Sequence, residues 1–227
     1  MGATKGPAAK RRLTSARPTD GWQFSPAATM AREATARLFG PLVAWMLHGP
    51  RVTGAEHLAG LDGPLLVCPN HASHLDFSAL RLALGPRLRR RLAAAAAADY
   101  FSMSPQRWFF SAWLGAFPFA RAVSPDSMAA AELLLKLGWS VVVFPEGTRS
   151  RTGRMGPFRP GVGLLAVRSG RPVLPVRILG TWDALPPGRR MPRRSPVEVR
   201  FGPPLVAEPG EEPRAFVARL ERAVRSL

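Results

Sequence analysis

The stretch Asn70-His71-Ala72-Ser73-His74-Leu75-Asp76 lies between a predicted strand and a predicted helix. The apolar run of residues 64–68 before it is typical of a buried strand. After it, apolar residues recur at helical spacing until Gly85-Pro86, where the helix should end. His71 is therefore predicted at the point where a strand gives way to a helix, a common place for a functional site in an α/β sheet.

His71 and Asp76 have the chemistry of a proton-transfer pair. A carboxylate can hold one nitrogen of an imidazole and leave the other free to take a proton, and histidine titrates near neutral pH. Five positions correspond to roughly 140° around an ideal helix, so the two side chains would not share a helix face. The pair can form if His71 lies in the turn and Asp76 in the first helical turn, which is what the predicted strand-turn-helix provides.

Length and composition indicate one α/β domain with an anionic partner. A chain of 227 residues is long enough to bury a sizeable core. The net charge of +17 comes almost wholly from arginine. A genome rich in arginine codons explains the choice of arginine, while the charge itself suits a nucleic acid, a phosphorylated substrate or an acidic membrane surface. The single cysteine, Cys68, lies in the predicted buried strand and indicates a reducing compartment.

The N-terminal part divides into an arm and a helix. Residues 1–26 are basic and without periodicity, so they are predicted to be a disordered arm, and residues 27–227 to be the folded domain. Residues 27–48 are predicted to form an amphipathic helix that Gly40-Pro41 should kink or split. This helix could pack on the core or lie on a bilayer surface. The sequence contains no apolar stretch long enough for a transmembrane helix and no secretory signal.

The remaining pattern alternates strands with helices. Such alternation predicts a largely parallel mixed sheet covered by helices in a single domain. Strands are expected at 51–54, 93–98, 139–144, 173–179 and 197–201, and helices at 124–138, 161–168 and 213–227. The basic cluster at residues 87–91 is typical of a solvated face.

Three further stretches carry candidate site residues. Arg121 ends the run Gly115–Arg121, where its guanidinium could bind a phosphate with two hydrogen bonds. The turn Phe144–Ser150 offers backbone N–H groups, a hydroxyl and a guanidinium, which together suit an anion. Within it, Glu146 would accept from a substrate hydroxyl or hold an arginine. Pro175, inside the third stretch, should mark an edge strand or a bulge.

These four stretches, in this order, resemble the glycerolipid acyltransferase family, whose best-known members are the 1-acylglycerol-3-phosphate acyltransferases. The first block matches in His71 and Asp76, the second in Gly115, Phe117, Phe119 and Arg121, the third over all of Phe144–Ser150, and the fourth around Pro175. The resemblance spans residues 52 to about 205, and four blocks at this spacing are highly specific. The family is α/β, in agreement with the fold class predicted above.

The resemblance implies transfer of a fatty acyl group from an acyl-CoA or acyl-carrier-protein thioester to a lysophospholipid hydroxyl. It implies that His71 is the general base and Asp76 its orienting partner. The residues that it implies for substrate binding are Asn70, Ser73, Arg121, Glu146, Gly147, Thr148 and Arg149. It implies no metal and no bound cofactor. 1-Acylglycerol-3-phosphate is the family's usual acceptor, and another lysolipid or glycerol phosphate is an open alternative.

A basic surface, an aromatic-bearing helix at 27–48 and no spanning segment predict a peripheral protein on the cytoplasmic face of a membrane, bound to an anionic surface. Two other functions compete with an acyltransferase. A basic nucleic-acid-binding domain would explain the arginines, but it gives no reason for the His71–Asp76 pair, so no specific nucleic-acid partner is expected. An inactive lipid-binding module with the same fold would not need the intact motif residues.

Overall fold

A computed structural model of the protein describes residues 24–61, 63–97, 115–119 and 125–227. The predicted arm at residues 1–26 lies almost wholly outside them. The described strands are β1 (Arg51–Thr53), β2 (Leu66–Pro69), β3 (Leu92–Ala97), β4 (Ala116–Phe119), β5 (Ser140–Val142), β6 (Val173–Leu179) and β7 (Glu198–Phe201). The described helices are α1 (Pro26–Met46), α2 (Asp76–Ala83), α3 (Pro86–Arg90), α4 (Pro125–Lys136), α5 (Gly161–Ser169), α6 (Thr181–Ala184) and α7 (Pro213–Ser226), with a 3-10 helix at Ala55–Leu58.

The strands form one seven-stranded sheet in the order β1-β7-β6-β2-β5-β3-β4. Neighbouring strands are parallel except β6 and β7, which are antiparallel. This confirms the predicted α/β fold with a largely parallel mixed sheet. The strand β4 was not predicted, because its Phe-Pro-Phe sequence carries no alternating pattern.

Pro175 lies inside the sheet, so the first predicted alternative, an edge strand, is wrong, while the second, a bulge, agrees with the pairing beside it. The strand β6 pairs with β2 on one side and with β7 on the other. The carbonyl oxygen of Pro175 accepts from the N–H of Gly202, just beyond the end of β7 at Phe201. The N–H that Pro175 lacks would face this same side. Here the pairing is offset by one residue: Val173 pairs with Leu205 while Val176 pairs with Phe201, so three steps along β6 oppose four along the other segment, as in a β-bulge.

Helices cover both faces of the sheet and form a hydrophobic core on each. Successive residues along a strand point alternately into one core and the other. Beneath α4, α5 and α7, the buried residues include Leu66 and Cys68 of β2 and Phe216 and Leu220 of α7. Beneath α2 and the end of α1, they include Val67 of β2, which lies on the opposite face. The apolar residues at helical spacing along α7 are all buried: Phe216, Val217, Leu220 and Val224.

The helix α1 has an unusual distribution of side chains. It begins after Ser25, whose hydroxyl caps it by accepting from the N–H of Ala28, and it continues through Pro41 without being split. Two charged residues, Arg32 and Glu33, are buried, while Leu38, Leu42 and Trp45 are 72%, 61% and 58% exposed. Because these three are spaced by four and three residues, they share one side of the helix. The amphipathic helix is thus present, with its apolar side turned outward.

A buried ionic cluster holds α1 against α2 and α3. The carboxylate of Glu33 accepts from Arg81 at 3.3 Å and from Arg89 at 2.9 Å. The basic cluster after α2 is therefore not simply a solvated face, since Arg89 is ion-paired. Burial pushes the pKa of Glu33 upward, but the hydrogen bond and charge of Arg89, with the charges of Arg81 and Arg90, lower it overall.

We expect Glu33→Gln to lower the free energy of unfolding by about 3 kcal/mol or more, because two buried guanidinium groups lose their counter-charge. As a control, Asp183→Asn should cost less than about 1 kcal/mol, since Asp183 and Arg193 are both more than half exposed. Urea unfolding of both variants checks this. Because the pKa of Glu33 is lowered in the fold, its contribution should disappear as the pH falls through that lowered value. Equal stabilities of the two variants would contradict the role of the cluster.

Candidate active site

Three neighbouring strands bring the candidate residues to one edge of the sheet. The strands β5, β2 and β6 lie side by side and are parallel, so their carboxyl ends meet. His71 follows β2, Glu146 follows β5 and Thr181 follows β6. The carboxyl edge of a parallel sheet is the usual position of a ligand site in this class of fold.

The predicted pair forms between His71 and Asp76. The Nδ1 atom of His71 lies 2.8 Å from Oδ2 of Asp76, and the His71 side chain is 20% exposed. His71 lies in the turn and Asp76 is the first residue of α2, as the spacing required. The imidazole also stacks on Phe144, with ring centroids 3.9 Å apart. Within the described part of the chain, Nε2 of His71 has no hydrogen-bond partner, so this nitrogen is available to accept a proton.

Asp76 is fully buried and its carboxylate is held from several directions. Its Oδ2 accepts from the N–H groups of Ala72 at 2.7 Å and Ser73 at 2.8 Å. Its Oδ1 accepts from the hydroxyl of Thr181 at 2.5 Å. Oδ2 already accepts from two N–H groups, so it acts as an acceptor towards the imidazole as well. The ring nitrogen that faces it, Nδ1, therefore carries the imidazole proton. Sequence reasoning missed Thr181, which is buried and lies 105 positions along the chain from Asp76.

We expect Thr181→Val to lower the free energy of unfolding by about 1–3 kcal/mol, because the change keeps the shape but leaves a buried carboxylate oxygen without its donor. The matched control is Thr35→Val on α1, where the hydroxyl is exposed and bonds only to its own helix. Denaturant unfolding of both variants gives the comparison. If Thr181→Val cost no more than Thr35→Val, the hydroxyl would not hold Asp76.

Glu146 joins two loops behind His71. Its Oε1 accepts from the N–H of His71 and its Oε2 from the N–H of Gly156, both at 2.7 Å. The carboxylate is thus bonded to backbone donors, where the sequence suggested a substrate hydroxyl or an arginine. Burial raises the pKa of Glu146, although the two N–H bonds and the charge of His71 act against this rise. The geometry assigns Glu146 to fixing the backbone at His71.

Asn70 and Ser73 have polar side chains that are bonded within the fold, and their contact with a substrate stays a prediction. The side-chain amide of Asn70 exchanges two hydrogen bonds with the backbone of Ile178, at 3.0 and 2.6 Å, and so extends the pairing of β2 with β6. The hydroxyl of Ser73 donates to the carbonyl oxygen of Leu185 at 2.7 Å. Both residues are buried, so their polar atoms are used within the fold.

Gly147 packs against an arginine that the motif does not contain. Its φ is +70°, and a Cβ atom at this position would lie 2.7 Å from Nε of Arg159. Arg159 donates from Nε to the carbonyl oxygen of Glu146 at 3.1 Å and from its backbone N–H to that of Pro145 at 2.8 Å. The positive φ favours glycine, and any side chain here would force Arg159 to shift, so the turn contacts an arginine from a loop outside the motif.

The other candidate residues lie around this turn or outside the description. Thr148 is exposed and Arg149 is half-buried. The N–H of Ser150 donates to the carbonyl oxygen of His71 at 2.8 Å, so the turn Phe144–Ser150 is hydrogen-bonded to the backbone of His71. Arg121 lies outside the described residues, and its role stays a prediction. Among the residues that the structure describes, no three His, Cys, Asp or Glu side chains converge as metal ligands would.

Comparisons with known proteins agree with this geometry. A family model described as Acyltransferase matches residues 49–179. A chloroplastic 1-acyl-sn-glycerol-3-phosphate acyltransferase of Brassica napus is 32% identical over 157 residues, which are 67% of this chain and 44% of that protein. The alpha enzyme of the same name from Ovis aries is 30% identical over 80% of this chain and 63% of its own length. The chain thus spans less than half the length of the Brassica protein.

A solved structure has the same fold. The crystal structure of the 1-acyl-sn-glycerophosphate acyltransferase PlsC from Thermotoga maritima superposes with a TM-score of 0.67 at 25% identity, covering 89% of this chain and 82% of that one. The family model covers more than half of the chain, and it includes both His71 and Asp76 as well as the Glu146 turn. The chain therefore belongs to the glycerolipid acyltransferase family.

Proposed function

We propose that the protein transfers a fatty acyl group from a thioester to the free hydroxyl of a lysophospholipid, with 1-acylglycerol-3-phosphate as the first candidate acceptor and phosphatidic acid as its product. One observation carries the proposal: Nδ1 of His71 is 2.8 Å from the buried Asp76 carboxylate, while Nε2 is available at the carboxyl edge of the sheet. The names of the relatives support the acceptor. The donor is an acyl-CoA or an acyl-carrier-protein thioester.

The chemistry requires one base and no covalent intermediate. Nε2 of His71 takes the acceptor hydroxyl proton as the oxygen attacks the thioester carbonyl, and Asp76 stabilises the imidazolium that forms. The tetrahedral intermediate then expels the thiolate, which takes the proton back from His71. An ester bond forms and a thioester bond breaks, with no change of oxidation state. Burial raises the pKa of the Cys68 thiol far above its ordinary value, so this thiol stays protonated and is no nucleophile.

The loop at Gly147, Thr148 and Arg149 is the proposed position of the acceptor's phosphate. The guanidinium of Arg159, which lies against Gly147, brings a full positive charge to this loop. Arg121 is the further phosphate ligand that the family pattern implies.

We expect Arg121→Lys to raise the acceptor KM well above the wild-type value while the donor KM changes little, since lysine keeps the charge but loses the bidentate fork. Arg121→Ala should cost about 2–5 kcal/mol in acceptor binding if the phosphate is left without its partner. Steady-state kinetics with both substrates, together with a melting curve, test this. An unchanged acceptor KM in a stable Arg121→Ala protein would exclude a phosphate contact at this position.

The proposed location is peripheral, on the cytoplasmic face of a membrane with an anionic surface. The exposed Leu38, Leu42 and Trp45 of α1 support attachment at the interface. In the described residues, no helix combines the length and the apolar character that crossing a bilayer demands.

The decisive experiment is a thioester-release assay on the purified chain with lysophosphatidic acid, other lysophospholipids and glycerol phosphate as acceptors, and with acyl-CoA and acyl-carrier protein as donors. Thiol release that depends on one lysophospholipid, with the new ester detected in the lipid product, is the expected result. Release that does not depend on any acceptor would be hydrolysis and would overturn the proposal.

A further inference from the structure

We propose that the segment Pro186–Arg194, here called the Arg-Met loop, is a second membrane contact that binds anionic lipid headgroups beside α1. This inference rests on the proposed peripheral attachment of the enzyme and adds a surface that neither the acyltransferase motifs nor α1 contains. The loop reads Pro-Pro-Gly-Arg-Arg-Met-Pro-Arg-Arg. Its four arginines are accompanied by no acidic residue within the segment, so its charge is complementary to an anionic surface.

The loop exposes an apolar side chain among these charges. Met191 is 75% exposed, and Arg189 and Arg190 before it are exposed as well. A large apolar group flanked by guanidinium groups suits the boundary of a bilayer, where the thioether enters the acyl region and the arginines stay at the headgroups. Three prolines and the bond from the N–H of Arg193 to the carbonyl oxygen of Ala184, at 2.9 Å, hold the loop in a defined shape.

The loop and α1 form one continuous surface. The guanidinium of Arg194 stacks over the ring of Trp45 at 4.3 Å and donates from Nε to the carbonyl oxygen of Trp45 at 3.3 Å. The N–H of Ser195 donates to the carbonyl oxygen of Met46, also at 3.3 Å. The exposed apolar side of α1 therefore ends directly at the basic loop, and a flat lipid surface can meet both.

The loop follows residues that contact the active site. The helix α6, just before it, contributes the Thr181 hydroxyl to Asp76, and the carbonyl oxygen of Leu185 accepts from Ser73. Docking the loop on a membrane would therefore hold the His71–Asp76 pair close to the lipid surface, from which a lysophospholipid must come. This connection also makes a membrane a better occupant than a nucleic acid, which would have no reason to be held beside this pair.

The test measures binding of the full chain to vesicles of phosphatidylcholine alone and of phosphatidylcholine with phosphatidylglycerol, by co-sedimentation and without any substrate. The first variant combines Arg189→Gln with Arg190→Gln. Its matched control combines Arg214→Gln with Arg222→Gln on α7, which removes the same charge from exposed positions on the opposite face of the sheet. We expect the loop variant to bind the anionic vesicles about 30-fold more weakly than wild type, and the control to stay close to wild type.

Further variants make the result specific. Met191→Ser should weaken binding to both kinds of vesicle, about tenfold, because the apolar contact does not depend on lipid charge. Equal losses of vesicle binding in the loop and α7 variants would overturn the proposal, since the net charge of the protein alone would then explain the binding. If the loop variant lost binding to duplex DNA but kept its binding to vesicles, the proposal would also be overturned. If Leu42→Ser on α1 releases the protein while the loop variants bind as wild type, the loop contact is refuted and attachment through α1 stands.

Discussion

Replacing His71 with alanine is expected to lower the turnover number for acyl transfer by about 10²–10⁴-fold, the usual contribution of a general base. The imidazole is the group whose free nitrogen, Nε2, can accept the proton of the attacking hydroxyl, and alanine offers no substitute. The change should leave the fold intact, because the His71 side chain is partly exposed and its bonds to Glu146 and Ser150 are made by the backbone. Initial rates of thiol release at saturating donor and acceptor measure the effect.

The matched control lies in the same motif. His74 is exposed, three positions after His71, and His74→Ala should turn over close to the wild-type rate. Melting curves of both variants separate loss of chemistry from loss of structure. A folded His71→Ala protein with near wild-type turnover would refute the proposed base.

The His71–Asp76 pair could be predicted because its geometry is local. The two lie five positions apart, so a strand end followed directly by a helix is enough to bring Nδ1 to the carboxylate. Thr181 could not be predicted in this way. Its hydroxyl reaches Asp76 because β6 lies beside β2, and a local sequence pattern does not predict the order of strands in a sheet.

The same limit applies to Glu146, Pro175 and α1. The motif marks Glu146 as important, but the direction of its carboxylate depends on the Gly156 loop, ten positions away, and on the backbone at His71. Pro175 is acceptable in a central strand because the pairing on the β7 side is offset by one residue next to it, and such an offset is a tertiary feature. For α1, helical periodicity predicts two sides, while the contact of Glu33 with Arg89 decides which side faces the domain.

Replacing Asp76 with asparagine is expected to lower turnover by about 10²–10⁴-fold while leaving the acceptor and donor KM values nearly unchanged. An amide oxygen in the place of Oδ2 can still accept from Nδ1 of His71 and from the N–H groups of Ala72 and Ser73. Its NH₂ group would then face Thr181, whose hydroxyl can turn to accept. The hydrogen bonds can therefore survive, and the variant loses the negative charge that stabilises the imidazolium during proton transfer.

Asp76→Ala provides the comparison that separates charge from structure. It removes every acceptor at once and leaves two buried N–H groups and the Thr181 hydroxyl without partners, each at a cost of about 1–3 kcal/mol. The asparagine variant should therefore melt close to wild type and the alanine variant well below it, although both lose turnover. Because substrate contacts are proposed on the Gly147 turn and at Arg121, a rise in KM alone would be unexpected for either change. An asparagine variant that is stable and fully active would show that the charge of Asp76 takes no part in the proton transfer.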